Sequence, residues 1–345
     1  MVEVVRDIGG LQAQLLVAAE LALSARVRDL VERDVREALW SARSLVRAWT
    51  VRGTIHIVPA DDLPLWTAAL GVTRYWESRA WLERYELTSR EAGAIFERVR
   101  DVLDDRSLTR EEVANAVVEK LGARYRAKVA SLWGDLLAPL TYMGKLCFGP
   151  NRGANVTFVR ADRWIHAWRE VAPDEAWTAL LRRYLWAYGP ATTADAARWF
   201  GVAPDRVLTR LRALGDAAVT TERGWVLRDD RRDVGRRASA STVRLLPQYD
   251  AYVMGCRPRE AIVPVAVRDR IRTFKRGRWE GAAGVPVLLV DGVIAGVWDR
   301  LTRGGRVIVD VEPVLPLTAA QRAALSREAE RVGRFFGRDA ELSVR

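Results

Sequence analysis

The stretch TTADAARWFGVAPDRVLTRLRALGDAAVTTERGWVL, Thr192 to Leu227, reads as helix, turn, helix and β-hairpin. Thr192 or Thr193 caps a helix over Ala194–Phe200, Gly201-Val202-Ala203-Pro204 turns the chain, and Asp205–Leu214 forms the next helix. Ala218-Val219-Thr220 and Trp225-Val226-Leu227 then pair across Arg223-Gly224. A long helix from Glu175 to Tyr188, closed by Gly189-Pro190, precedes them. This order is the winged-helix plan. In it the second helix of the pair usually enters a DNA groove, and the hairpin touches backbone or minor groove.

The same order recurs upstream. Ser107 or Thr109 caps a helix with Glu111 and Glu112 in its first turn, and Gly122 stops it. A second helix is expected from about Ala127 to Met143, with Leu132, Leu136, Leu137 and Leu140 inward. Leu146-Cys147-Phe148 and Val156-Thr157-Phe158-Val159 are strands joined by Pro150-Asn151-Arg152-Gly153. The N-terminus gives a weaker copy. Val4–Ser24 and Val35–Trp49 read as helices, and Thr50-Val51-Arg52 and Thr54–Val58 as short strands about Gly53. Between these copies lies a helical linker whose Trp66, Trp76 and Trp81 are expected in the core. After a basic stretch from Arg231 to Ser241 come strand candidates Val243–Leu246, Ile262–Val267, Val285–Val290, Val293–Trp298 and Arg306–Val311. Asp291-Gly292 is a hairpin signal, and Thr318–Phe336 a closing amphipathic helix. The expected fold is therefore α+β: three tandem winged-helix units (1–60, 107–160 and 161–230), a linker (61–106) and a small C-terminal β-rich domain (241–345).

The chain carries 55 Lys+Arg against 44 Asp+Glu, a net charge of +11 that suits a polyanion. Only Lys120, Lys128, Lys145 and Lys275 are lysines, so part of this bias reflects the arginine preference of a GC-rich genome. Cys147 and Cys256 have no ligand spacing, and His56 and His166 are too few for a histidine metal site. No metal, cofactor or P-loop is expected, since Gly277 to Gly284 lacks Gly-Lys-Ser/Thr. With no long apolar run and no signal peptide, the expectation is a cytoplasmic, nucleoid-associated protein.

Gly9-Gly10-Leu11-Gln12-Ala13-Gln14 stands out against this background. Two amides sit at the mouth of an apolar run, Leu15-Leu16-Val17-Ala18-Ala19. Burying an unpaired amide costs roughly 1–3 kcal/mol, so each needs a partner. The partners are either local backbone or a substrate and a water. On a regular helix, residues two apart point about 200° apart and cannot share a substrate. A non-helical backbone, which Gly9-Gly10 permits, is then required.

Three segments carry a family resemblance: Gly9–Gln14, Arg52-Gly53-Thr54-Ile55-His56, and Leu245-Leu246-Pro247-Gln248-Tyr249-Asp250-Ala251-Tyr252 with Arg257. They resemble the tandem winged-helix proteins that include the AlkZ-type DNA glycosylases, and Val290–Trp298 is similar to that family's C-terminal β region. The family carries additional helix before its Gly-Gly-Leu segment. Eight residues precede Gly9 here, so the chain reads as starting downstream of the usual point.

The resemblance implies that Gln12 and Gln14 are the catalytic pair. It implies excision of N7-alkylated purines from double-stranded DNA, bulky adducts and interstrand crosslinks included. Such a base is already cationic, so the enzyme must place a water under C1′ and face the growing sugar cation with dipoles. Candidate DNA contacts are Arg52, Thr54, His56, Arg152, Arg257 and Arg259, with Arg268, Arg270, Arg272, Lys275, Arg276 and Arg278 as a further basic cluster. His56 also reads as a hydrogen-bonded structural residue, Asp250 as a turn former, and the basic cluster as a solvated surface. The competing function is a non-enzymatic winged-helix regulator. A regulator should dimerise on a palindrome, and no heptad seam is visible, so a monomer wrapping DNA is expected.

Overall fold

Gly9 and Gly10 divide the first expected helix, Val4–Ser24, into three pieces. They adopt φ of 70° and 97°, values that suit glycine. In the computed structural model, which describes residues 1–131, 135–166, 168–232, 241–274 and 281–345, α1 covers Val2–Asp7 and β1 covers Leu11–Gln12. Helix α2 then runs over Leu16–Ser24. Gly10 is the tightest point. A Cβ there would lie 3.0 Å from Val58 Cγ1 and 3.2 Å from the Ile57 carbonyl. Gly10→Ala is therefore expected to cost about 1–3 kcal/mol in positive-φ strain and crowding. The check is a lower denaturation midpoint at unchanged slope. A variant as stable as the parent would mean that the segment relaxes freely.

The second expected helix, Val35–Trp49, is also split. Helix α3 covers Glu32–Trp40, whereas Leu45–Trp49 is strand β2, buried at all five positions. β2 and β3 (Ile55–Pro59) pair antiparallel. The 3₁₀ turn Val51–Gly53 replaces the strand expected at Thr50–Arg52. β1 joins the outer edge of β3, setting Leu11 opposite Ile57 and Gln12 opposite His56.

The second helix–hairpin segment extends this same sheet. β4 (Leu108–Thr109) leads into the helix Arg110–Leu121, capped by Thr109 with Glu112 closing the box. β5 (Cys147–Arg152) and β6 (Asn155–Val159) form the hairpin, and Arg47 on β2 pairs with Phe148 on β5. One six-stranded sheet results, in the order β1-β3-β2-β5-β6-β4. Among the described residues, the stretch expected as one helix over Ala127–Met143 shows two short ones, Arg126–Val129 and Ala138–Tyr142, the latter opened by Pro139. Leu132, expected to face inward there, lies outside the described residues. Trp66, Trp76 and Trp81 are buried, as expected.

The helices and the hairpin expected in the segment quoted first are present. Helices Pro173–Tyr188, Thr193–Phe200 and Pro204–Ala213 precede β7 (Ala218–Thr221) and β8 (Gly224–Leu227). Thr192 caps with Asp195 as its box partner. Buried Asp62 ties this part to the N-terminus, accepting from Arg6 at 2.5 Å and Arg183 at 2.6 Å.

The C-terminal part is a five-stranded sheet: β9 (Val243–Leu246), β10 (Val287–Val290), β11 (Val293–Arg303), β12 (Arg306–Pro313) and β13 (Ala340–Val344). Asp291 (φ 50°) and Gly292 (φ 80°) make the expected β10–β11 turn. Ile262–Val267 is not a strand. Pro264 starts the helix Val265–Thr273, which buries Val267 and Ile271 at helical spacing. β13 takes the fifth place, parallel to β12 after the crossover helix Ala319–Phe335. That helix packs on α2, and its Arg331 donates to Ser24 Oγ at 2.7 Å. Asp250 caps the short helix Ala251–Gly255 and receives Arg26 through two bonds of 2.7 Å. It is a structural residue that fixes α2 from behind.

Candidate active site

Gln12 ends β1, and Ala13 and Gln14 follow it before α2, where the backbone is not helical. The 200° separation of a helix therefore does not apply to Gln12 and Gln14. Ala13 is held at both backbone ends. Its N–H donates to the Ile55 carbonyl at 2.6 Å, and its carbonyl accepts from Arg47 Nε at 3.1 Å. Gln12 is 6% exposed, whereas Gln14 is exposed.

The buried amide has a defined orientation. Arg52 Nη2 donates to Gln12 Oε1 at 3.0 Å. Arginine carries donors only, so the amide oxygen must face it, and the amide NH2 is the group left for another partner. The same Nη2 lies 3.3 Å from His56 Nε2, and His56 Nδ1 lies 3.0 Å from the Thr54 carbonyl. Those partners require Nδ1 to carry the proton and Nε2 to accept. Burial, and then the charge of Arg52, lower the His56 pKa to about 3, so the ring is neutral and serves no acid–base role at neutral pH.

Arg52 is itself anchored. Its Nη1 donates to the Trp199 carbonyl at 3.1 Å, and its guanidinium carbon lies 4.9 Å from the Trp199 ring centre. It adopts φ 59°, and Gly201 packs so closely that a Cβ there would lie 2.7 Å from Arg52 Cα. Across the same indole, Tyr188 donates its hydroxyl to the Ile8 carbonyl at 2.7 Å. Residues from the first and third segments thus hold one amide.

Residues 5–335 match the family described as DNA glycosylase AlkZ-like. This chain belongs to the AlkZ-like DNA glycosylase family. It is 30% identical to the interstrand DNA cross-link repair glycosylase of Streptomyces sahachiroi, over 97% of this chain and 90% of that protein. The solved structure of Streptomyces sahachiroi DNA glycosylase AlkZ superposes with a TM-score of 0.80 at 27% identity, covering 100% of this chain and 92% of the other.

Within this AlkZ-like chain the expected DNA contacts divide into two groups. Three are turned inward. Arg52 holds Gln12, His56 is buried with both ring nitrogens engaged, and Thr54 donates to the Val51 carbonyl at 3.1 Å. His56 is buried and Arg52 and Thr54 are half-buried, and each of the three has a hydrogen-bond partner inside the protein. Arg152 does stand exposed on the β5–β6 hairpin, where it pairs with Glu112 and donates to the Ser107 carbonyl. Arg257 lines one small cleft with Arg52, Arg198, Trp199 and Asp195. Arg259 opens the 3₁₀ turn Arg259–Ala261. Arg268 is exposed, Arg270 forms a two-bond pair with Glu312, and Arg272 pairs with Asp269. Lys275, Arg276 and Arg278 lie outside the described residues. Sequence reasoning missed Arg47 and Trp199. Arg47 was hidden inside a segment read as helix, and no local signal links Trp199 to a turn 147 residues away.

No described helix is long and apolar enough to cross a membrane.

Proposed function

We propose that this protein hydrolyses the N-glycosidic bond of cationic alkylated purines in duplex DNA, N7-alkylguanine foremost, with Gln12 and Gln14 as its catalytic pair. The observation that carries this reading is a buried amide whose oxygen is fixed by Arg52, set two residues from an exposed amide on a non-helical backbone. The two then divide the work. The Gln14 carbonyl accepts a hydrogen bond from the attacking water and faces the sugar cation. The Gln12 NH2 donates to a sugar or phosphate oxygen of the DNA. Electrons of the broken C1′–N9 bond go to the base, which leaves neutral; water oxygen bonds to C1′, and its proton passes to solvent. No side chain has to protonate the base. A purine joined through N7 to the opposite strand carries the same charge, which extends the reading to interstrand crosslinks.

The helix-pair and hairpin segments at 107–160 and 161–230, with 1–60, are read as winged-helix units that carry the duplex along a monomer. Arg152, Arg257 and Arg259 are the phosphate contacts of this reading, and residues 241–345 brace α2.

The test is release of abasic sites from duplex carrying N7-methylguanine, beside the same duplex carrying uracil. Release of the cationic base and none of uracil is expected, because uracil leaves as an anion that needs a proton donor or a positive charge beside it, which two amides do not supply. Uracil release at a comparable rate would sink the mechanism. A protein that binds duplex but frees no base would favour the regulator reading.

A further inference from the structure

Glu20 on α2 is 1% exposed, yet neither carboxyl oxygen has a hydrogen-bond partner. Arg47 on β2 is 5% exposed, donates from Nε to the Ala13 carbonyl at 3.1 Å, and stacks with its guanidinium carbon 4.6 Å from the Phe148 ring centre. The charges acting on Glu20 come from Glu32 and Arg36 on α3 and from Arg47. Those acting on Arg47 are Glu20 and the like charge of Arg110. Arg47 is thus a buried cation that grips the middle of the Gln12–Ala13–Gln14 turn, and the carboxyl that acts on it is Glu20.

We propose that Arg47 and Glu20 are positioning residues of the base-release site: Arg47 fixes the Ala13 carbonyl between the two glutamines, and the buried carboxyl of Glu20 balances Arg47. This rests on the glutamine reading above. Burial, and then Glu32, raise the Glu20 carboxyl to about 7, while burial lowers Arg47 to about 10. Glu20 therefore changes charge around neutrality. The amides do not titrate, and His56 is neutral above about 3.

Holding such a carboxyl also costs stability. A folded-state pKa raised above the ordinary 4.5 stabilises the fold only at low pH, and the benefit is lost as pH rises through about 7. A group kept where its working charge state destabilises the fold is a mark of function.

The experiment measures single-turnover N7-methylguanine release at saturating protein from pH 5.5 to 8.5. The ratio of the parent rate to the Glu20→Gln rate, which cancels titration of the lesion itself, is expected to rise about threefold or more with a midpoint near 7. DNA affinity should be the same in both. Arg47→Lys should keep more rate than Arg47→Met. Glu20→Gln should also melt at or above the parent temperature at pH 8. A parent-to-variant ratio that does not change with pH, or a lower melting temperature for Glu20→Gln at pH 8, overturns the proposal. Total absence of base release at every pH is instead a failure of the glutamine reading. In that case hydrogen exchange decides the clamp: the peptide over 10–16 should lose protection in Arg47→Met, and unchanged protection overturns it.

Discussion

Gln14→Ala is expected to slow single-turnover release of N7-methylguanine by about 10²–10³-fold, the usual loss for one preorganised polar group at a charged transition state. DNA affinity should change by less than about threefold, below 1 kcal/mol, because the contact strengthens mainly as the sugar becomes cationic. Stability should be untouched, since Gln14 is exposed. Gln12→Ala should slow release to a similar degree, but it also strips Arg52 of an acceptor and should lower the melting temperature slightly. Single-turnover rates, a binding titration and a melting curve read the three quantities separately. If both variants release base at the parent rate, the amides are structural.

Arg52→Ala is expected to be the most damaging change outside the glutamines. It leaves Gln12 Oε1, His56 Nε2 and the Trp199 carbonyl without their donor and removes the guanidinium from the indole face. Unsatisfied buried groups cost about 1–3 kcal/mol each, so the three together imply a loss of at least about 3 kcal/mol. Base release should fall about 10²-fold as Gln12 loses its fixed orientation. The salt dependence separates this role from a phosphate contact. Losing a phosphate contact lowers the slope of log affinity against log salt by about 1, and Arg52→Ala should leave that slope unchanged. A reduced slope with an intact rate would place Arg52 on DNA.

Local signals were readable wherever chemistry and structure lie close in sequence. Thr109 with Glu112, Thr192 with Asp195, and Asp291-Gly292 each announced a helix start or a turn. Leu45–Trp49 was misread because a strand buried on both faces shows no alternation, and apolar runs fit helix or strand alike. Ile262–Val267 failed for the converse reason. Its β-branched residues suggest a strand, but Pro264 denies a ladder N–H and serves better as a helix cap. β13 is held by a parallel partner across a helix, a pairing without local signature. At the candidate site the glutamines were visible because their residue type is out of place. Arg52 was visible too, but its charge pointed to phosphate. Only the fold reveals that its hydrogen bonds turn inward, toward an amide 40 residues away.

The single sheet that runs β1-β3-β2-β5-β6-β4 works as a gauge. Its first strand carries Gln12, and its hairpin carries Arg152. Paired strands slide past one another far less readily than domains hinge, and each adds about 4.8 Å across the sheet. On the reading proposed above, the hairpin is the foothold on the duplex and the sheet sets its distance from the glutamines, so spacing along the backbone selects the nucleotide presented to them.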